Sequence, residues 1–400
     1  MPSPPSPLAP ASRLSSTKHR PAALDLRYIR NFADEIFGPL LHEKRLESLS
    51  NSVVGVVHAA ILSIHAIGAA YAAVAQRHAK HGIKQVDRWL SNTAFDVARL
   101  APSWIEFVIG ARENIVIALD WTDFEGDDHT TLCAYLVTRH GRATPLIWKT
   151  VPKSTLEGKR TGYEHEIIET LHTILRPEIC VTLLADRGFG DQKLYELLGL
   201  LGWDYVIRFR ECILVENEHG EQKPASEWVG SGRAKMLKNV RVTADRAGIP
   251  AVVVVHAKRM KGAWCLATSL TNQKAQEVVK LYGKRFTIEE TFRDEKDIHF
   301  GLGLSATHIK SCQRRDRLLF LVAIAHALLT LLGAASEETG LDRTLKANTA
   351  KKRTLSLFRQ GLYWYHAMPT MRDDWFEKLM LAFNRIVADH RIFREIFAVI

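Results

Sequence analysis

Residues 114–120, NIVIALD, and residues 180–186, CVTLLAD, share one pattern: six strand-forming residues that run into an aspartate. Apolar runs of this length, bounded by turn residues, read as buried strands. A carboxylate at the end of a buried strand is costly unless something charged or polar is there to receive it. After the first run come two alternating segments, 131–138 and 143–151, separated by the turn-like RHGR at 139–142, which predicts a three-stranded antiparallel meander. A helical stretch at 163–175 leads to the second run. Its aspartate opens the turn RGFG at 187–190, followed by a helix over 191–201 and a strand over 203–209. Three strands, helix, strand, helix, strand make an α/β layer in which Asp120 and Asp186 can meet at converging strand ends.

Outward from this layer, residues 23–105 carry helical periodicity with few strand signals, ending on HGIKQVDRWLSN (81–92) and a proline at 102. Lys80, Lys84 and Arg88 stand four residues apart, so one helical face holds three cations. Such a face could track the phosphates of a polyanion through Lys84 and Arg88, although it also serves as an ordinary solvated surface. The Pro/Ser-rich opening, residues 1–22, has no apolar h-region and reads as a disordered tail rather than a signal peptide. The last hundred residues, 301–400, read as a helical region with a basic stretch, KANTAKKRTLSLFRQ (346–360).

The whole chain has 400 residues, 46% of them apolar, and a formal charge of +10. That is enough for two or three packed units and favours an anionic partner. The charge is uneven: +5 over residues 1–100, −5 over 101–200 and +10 over 201–400. An acidic middle between basic arms suits an enzyme that gathers metal ions centrally and holds a polyanion peripherally. Five widely spaced cysteines without a CxxC pair exclude a disulfide framework or zinc site as the organising feature and fit a reducing cytoplasm. Two apolar runs, 52–75 and 318–335, approach membrane-spanning length but contain histidines and read as buried helices; no membrane partner is expected.

A third acid lies in a long helical segment predicted over 273–297. At about 100° per residue, Arg285, Glu289 and Lys296 fall about 60°, 20° and 40° from Tyr282, within one stripe. An acid, two cations and a phenol on one face form a fairly specific pattern. Three carboxylates can hold two Mg²⁺ ions, because Mg²⁺ prefers hard oxygen ligands and keeps waters and substrate phosphate oxygens. Two such ions about 3.5–4 Å apart can activate an attacking oxygen and stabilise the leaving one.

The chain resembles the DDE transposases of bacterial insertion-sequence family four, which excise their element through DNA hairpins. IALDWTDF (117–124), LLADRGFG (183–190), AWCLATSL (263–270) and YGKRFTIEETFRDEKDIHFGLGL (282–304) carry the resemblance. It implies a ribonuclease-H-like α/β catalytic core over 106–300, flanked by all-α regions over 23–105 and 301–400. It also implies a β-rich insertion between the second and third acids. Residues 211–262 fit that insertion, since CILVE and IPAVVVVHA are strand-like. By the same resemblance Asp120, Asp186 and Glu289 are the catalytic metal-binding triad for two Mg²⁺ ions, with Mn²⁺ as a substitute. Tyr282, Arg285 and Lys296 hold the 5′ phosphate side of the DNA end, and Trp264 stacks on a flipped base. The implied partners are double-stranded DNA, at element ends and target, and a second copy of the chain in a synaptic homodimer, with no small-molecule cofactor. The implied reaction is cut-and-paste transposition by nicking, hairpin formation, hairpin resolution and strand transfer.

The acids of DFEGDD, Asp123, Glu125, Asp127 and Asp128, are expected to be solvated turn charges, and Glu290 to point about 100° away from Glu289. Two rival classes use the same residues. A ribonuclease-H-like nuclease that does not transpose would keep the triad without needing Trp264 or the phosphate-gripping stripe. A non-catalytic DNA-binding derivative would be free to lose any one carboxylate.

Overall fold

A computed structural model describes residues 24–389 apart from 231, 244, 245, 259 and 300. The Pro/Ser-rich segment at 1–22 lies outside the described residues, as does the end of the C-terminal region at 390–400. The described residues begin with five helices, α1 (Leu26–Phe37), α2 (Glu43–Ala59), α3 (Ile64–Val74), α4 (Ala79–Ser91) and α5 (Val97–Ile109). Local chemistry sets their starts: Asp25, Ser63 and Asp96 accept hydrogen bonds from first-turn amides of α1, α3 and α5. The apolar run 52–75 is broken between α2 and α3, which meet at 101°, so it does not form one straight span.

The central strands follow as β1 (Asn114–Phe124), β2 (His129–Val137) and β3 (Ala143–Pro152). Helix α6 (Arg160–Ile174) leads to β4 (Cys180–Ala185), and α7 (Gln192–Leu200) to β5 (Asp204–Phe209). The chain then makes β6 (Leu214–Glu216), β7 (Gln222–Pro224), β8 (Lys235–Val242), β9 (Ala247–Val255) and β10 (Trp264–Thr268). Among the described residues these ten strands form one sheet in the order β3-β2-β1-β4-β5-β10-β9-β8-β6-β7. β1, β4 and β5 are parallel; β2 and β3 form the expected antiparallel meander on one side. On the other side β10 pairs antiparallel with β5, so the strands of 214–255 extend the same sheet instead of forming a separate layer. With helices before and after it, this mixed sheet is the ribonuclease-H-like α/β core that the sequence led us to expect.

Two helices, α8 (Ala275–Gly283) and α9 (Phe286–Lys296), replace the single helix expected over 273–297. At the junction, Thr287 N–H bonds Lys284 O at 3.0 Å and Ile288 N–H bonds Arg285 O at 3.0 Å. These i→i+3 bonds tighten the turn and break the α-helical ladder between the two helices. Adjacent residues of a strand face opposite sides of the sheet. Asp120 accordingly meets Arg285 at the start of α9, while Trp121 meets Glu164 of α6 on the other side.

The described residues close with α10 (Cys312–Glu338), α11 (Leu357–Ala367) and α12 (Asp373–Asp389). α10 is the one helix among the described residues long and apolar enough to cross a membrane, yet its apolar window is wholly buried. It packs against β3, α2, α4, α5, α11 and α12, and so serves as the common core of the N- and C-terminal helices. The α10–α11 crossing is closed by two glycines. A Cβ at Gly333 would lie 1.9 Å from Leu357 O, and one at Gly361 would lie 1.8 Å from Leu329 O. Gly361→Ala is therefore expected to destabilise the protein by about 1–3 kcal/mol, against the helix-propensity gain of alanine, through overpacking of backbone on backbone. A urea midpoint equal to or above the parent's would contradict this reading of the crossing.

Candidate active site

The last parallel pair between β1 and β4 is Leu119 with Ala185. The next residue on each strand is an aspartate, so Asp120 and Asp186 stand side by side at the carboxyl end of the paired stretch. β1 itself does not end there: it continues to Phe124, paired only with β2. The expected strand at 114–119 is thus five residues longer, and Asp120 lies at the point where parallel pairing stops. β4 does end, and Asp186 caps the following turn by accepting a hydrogen bond from Gly188 N–H at 2.8 Å.

Glu289, in the first turn of α9, is brought toward these two by Arg285. Arg285 Nη1 donates to Asp120 Oδ2 at 2.9 Å, and Nη2 donates to Glu289 Oε1. The Arg285 side chain is only 7% exposed and that of Glu289 is 48% exposed, so the guanidinium lies deeper than the acid it holds. Burial pushes Asp120 up to about 6; Arg285 works against the rise, and the Asp186 and Glu289 charges add to it. Burial also works against the Arg285 charge, but Asp120, Tyr282 and Glu289 outweigh it and hold its pKa above the usual value.

The remaining members of the expected stripe do different things. Tyr282 is buried, its ring meeting the edge of Trp264 at 5.0 Å between centroids, and Trp264 also lies 5.9 Å from the exposed ring of Phe286. Lys296 donates to Thr122 Oγ1 at 3.0 Å and to the Asp123 carbonyl at 2.7 Å, and burial lowers its pKa. Lys84 and Arg88 lie away from this centre and line a groove of about 500 Å³ between α2 and α4, with Lys44, Arg45 and His81. Lys80 is exposed and does not line the groove.

Of the acids of DFEGDD, Asp123, Glu125 and Asp128 are exposed as expected, though each has a partner, while Asp127 is drawn inward. Asp123 and Glu125 pair with Lys153 at 2.9 and 2.7 Å, and Asp128 accepts from Ser154 N–H at 3.0 Å. Asp127 accepts from Ile309 N–H at 2.9 Å and pairs with Arg315, whose side chain is fully buried. These partners lie 26 to 188 residues away in sequence, too far for local pattern to reveal.

Sequence reasoning also missed what fixes α9 against the sheet. Thr291 Oγ1 accepts from Ala143 N–H at 2.8 Å and donates to Ala143 O at 2.9 Å. Arg142 Nε donates to Asp294 Oδ2 at 2.6 Å, and Tyr135 O–H reaches Glu295 Oε2 at 3.3 Å. Behind the first aspartate, Trp121 Nε1 donates to Glu164 Oε1 at 2.8 Å and Arg160 lies 5.1 Å from the Trp121 ring. None of these pairs has a sequence motif.

Among the described residues no group of three or more acidic, histidine or cysteine side chains forms a ready-made metal cage. The donor set nevertheless suits a hard divalent cation. It offers carboxylate oxygens whose charges act on one another, two of them held by a single cationic side chain.

Acids at the end of a parallel strand pairing in a ribonuclease-H-like sheet, met on the same face by an acid and an arginine from a helix, define an enzyme class that works on nucleic-acid phosphodiesters. The family described as "Transposase DDE domain" matches residues 112–328, from just before β1 into α10. This is more than half of the chain, and the chain belongs to that family. It is therefore a DNA-acting transposase, and DDE transposases generally use divalent metal ions. The comparison with curated proteins finds no match.

Burial pushes the Glu295 carboxyl up to about 8, with the Tyr135 hydrogen bond opposing. Between its ordinary value near 4.5 and about 8 the folded state binds more proton than the unfolded state. The stability this group contributes is thus complete below about 4.5 and lost as pH rises through about 8, at no more than about 1.4 kcal/mol per pH unit. In Glu295→Gln the fall in stability from pH 5 to pH 8 should be shallower than in the parent. Urea midpoints in EDTA at pH 5, 6.5 and 8 measure it, and parallel slopes would exclude Glu295 as the titrating group.

Proposed function

We propose that the protein excises a bacterial insertion sequence and joins it to new DNA by a hairpin, cut-and-paste route. The observation that carries this reading is the adjacency of Asp120 and Asp186 at the end of the β1–β4 pairing, with Glu289 and Arg285 across from them. In this reading Asp120, Asp186 and Glu289 hold two Mg²⁺ ions, or Mn²⁺ in their place. When bound, such ions activate an attacking oxygen and stabilise the leaving oxygen at phosphorus. The same three carboxylates then serve four displacements: water at the first strand, the freed 3′-OH at the opposite strand, water at the hairpin, and the 3′-OH at the target.

The neighbouring residues position the DNA. Arg285 can present two parallel donors to a phosphate, and Lys296 adds a point charge beside Thr122. Tyr282 packs under Trp264, whose partly exposed ring lies at the rim where a base unstacked at the hairpin would stack. The groove of Lys44, Arg45, His81, Lys84 and Arg88 supports a contact with duplex phosphates. Among the described residues no acid lines the groove, and the nearby Glu43 and Asp87 are paired with Arg30 and Arg314, so the groove is basic. Two protomers acting together on two element ends complete the reading, in a bacterial cytoplasm close to the nucleoid.

The test is cleavage of linear DNA carrying the element's flanking inverted repeats, with Mg²⁺ or EDTA, on a denaturing gel. Metal-dependent nicks and end hairpins are expected. Asp120→Ala, Asp186→Ala and Glu289→Ala should each reduce them by about a thousandfold or more. Nicks without hairpins would favour a nuclease that does not transpose, and binding without cleavage a non-catalytic DNA-binding protein.

For the groove, the triple replacement Lys44→Gln, Lys84→Gln, Arg88→Gln should weaken duplex binding about equally for all sequences. The slope of log affinity against log salt should fall by up to about 0.9 for each phosphate that the variant no longer neutralises. Fluorescence anisotropy at several salt concentrations measures it, and an unchanged slope would remove the groove from the DNA path.

A further inference from the structure

We propose that Arg285 is an internal counter-ion that competes with divalent metal for Asp120 and Glu289, and that DNA relieves this competition by drawing the guanidinium onto a phosphate. The inference rests on the reading of Asp120, Asp186 and Glu289 as metal ligands.

Arg285 commits one oxygen of each of two triad members, Asp120 Oδ2 at 2.9 Å and Glu289 Oε1. Those oxygens cannot donate fully to a metal ion while they accept these charge-assisted bonds. Geometry makes the conflict strong at Glu289. Its side chain is nearly half exposed, and Arg285, four residues earlier, is the group that holds it inward. The guanidinium is buried between the two acids, too close for a divalent ion to share the site without strong repulsion.

Two further observations say where Arg285 goes. Its Nε is buried and has no hydrogen-bond partner among the described residues, so the pair of carboxylates leaves the guanidinium incompletely satisfied. Its guanidinium centre also lies 4.9 Å from the ring of Phe286, which is exposed at the rim, so a short swing past that ring reaches solvent and any DNA lying there. Charge balance points the same way. Three carboxylates carry −3, and two divalent ions with Arg285 carry +5, so the loaded site balances only when anionic phosphates enter. Metal and DNA are therefore bound cooperatively: each makes room for the other, and by linkage the coupling is reciprocal. The free protein is held in a state with weak metal affinity, which limits cutting away from a bound DNA end.

The test is Mn²⁺ binding to the full chain, measured by electron paramagnetic resonance of the free ion, with and without a saturating duplex, and with the duplex-alone titration subtracted. Without DNA, Arg285→Gln should bind Mn²⁺ on the order of tenfold more tightly than the parent, within the usual range of coupling between sites. Adding DNA should tighten the parent more than the variant. Arg285→Lys keeps the charge but cannot span both acids, so its affinity should fall between the two; it also provides a reading if the glutamine variant does not fold, which circular dichroism checks. Equal Mn²⁺ affinity for the parent and both Arg285 variants without DNA would overturn the proposal. Asp120→Asn and Glu289→Gln separate this failure from that of the underlying reading. If those variants bind Mn²⁺ as the parent does, the metal site itself is wrong and the proposal falls with it; if they lose binding and the Arg285 variants do not differ from the parent, only the counter-ion role is lost.

Discussion

The parallel pairing of β1 with β4 is the constraint on which the rest of the molecule depends. It ends at Leu119 and Ala185, and so leaves two aspartates next to one another at the edge of a buried sheet. Burial pushes the Asp120 carboxyl up to about 6, with the Asp186 and Glu289 charges adding to the rise and Arg285 opposing it. Such a pair persists only if something positive is supplied. In this structure that charge is Arg285, which reaches Asp120 from the far side of the α8–α9 junction. The tight turn at 284–285 is part of the same solution, because it sets the guanidinium at the start of α9, four residues from Glu289.

Holding α9 in place is costly in polar groups, and the protein satisfies nearly all of them across long sequence distances. Thr291 closes both backbone valences of Ala143, Arg142 takes Asp294, and Tyr135 takes Glu295. These contacts fix the helix to β2 and β3, so that Glu289 projects over β1 without being buried itself. The acidic turn after β1 is tied down similarly. Lys153 holds Asp123 and Glu125, while Arg315 at the start of α10 holds Asp127. α10 thereby links the catalytic sheet to the N-terminal helices through one continuous apolar core. A basic groove between α2 and α4 and the acid-rich sheet end therefore belong to one packed body, which suits an enzyme that must keep a DNA end in register with its chemistry.

Much of this was legible in the chain. The strand-then-aspartate pattern at 114–120 and 180–186, the meander between them and the helical flanks follow from apolar periodicity and turn residues, and all appear in the structure. Spacing also grouped Arg285 and Glu289 on one face, and they are in contact. The errors have physical causes. Periodicity does not register a tight turn made of ordinary helix-forming residues, so α8 and α9 read as one helix. Local composition could not show that Asp127, unlike its exposed neighbours, is drawn inward, because its partners His308 and Arg315 are distant in sequence. The strands of 214–255 were recognisable as strands, but only β10, pairing with β5, decides that they extend the main sheet.

What the sequence by itself determined is thus the set of residue types and most of the elements that carry them: two aspartates after strands, the helix-borne Tyr282, Glu289 and Lys296 with Arg285 between them, and basic helices on either side. These depend on the 2.0 and 3.6 residue periods and on short-range turn chemistry, which neighbouring residues encode. Only the tertiary structure decided that Asp120 and Asp186 are adjacent, that Arg285 spans Asp120 and Glu289, that Lys44 and Arg45 join Lys84 and Arg88, and that Trp264 rests on Tyr282. Each of those pairings is a balance of burial, charge and hydrogen bonding between groups that the chain keeps far apart, and that balance is struck only when the sheet register and helix packing bring them within reach.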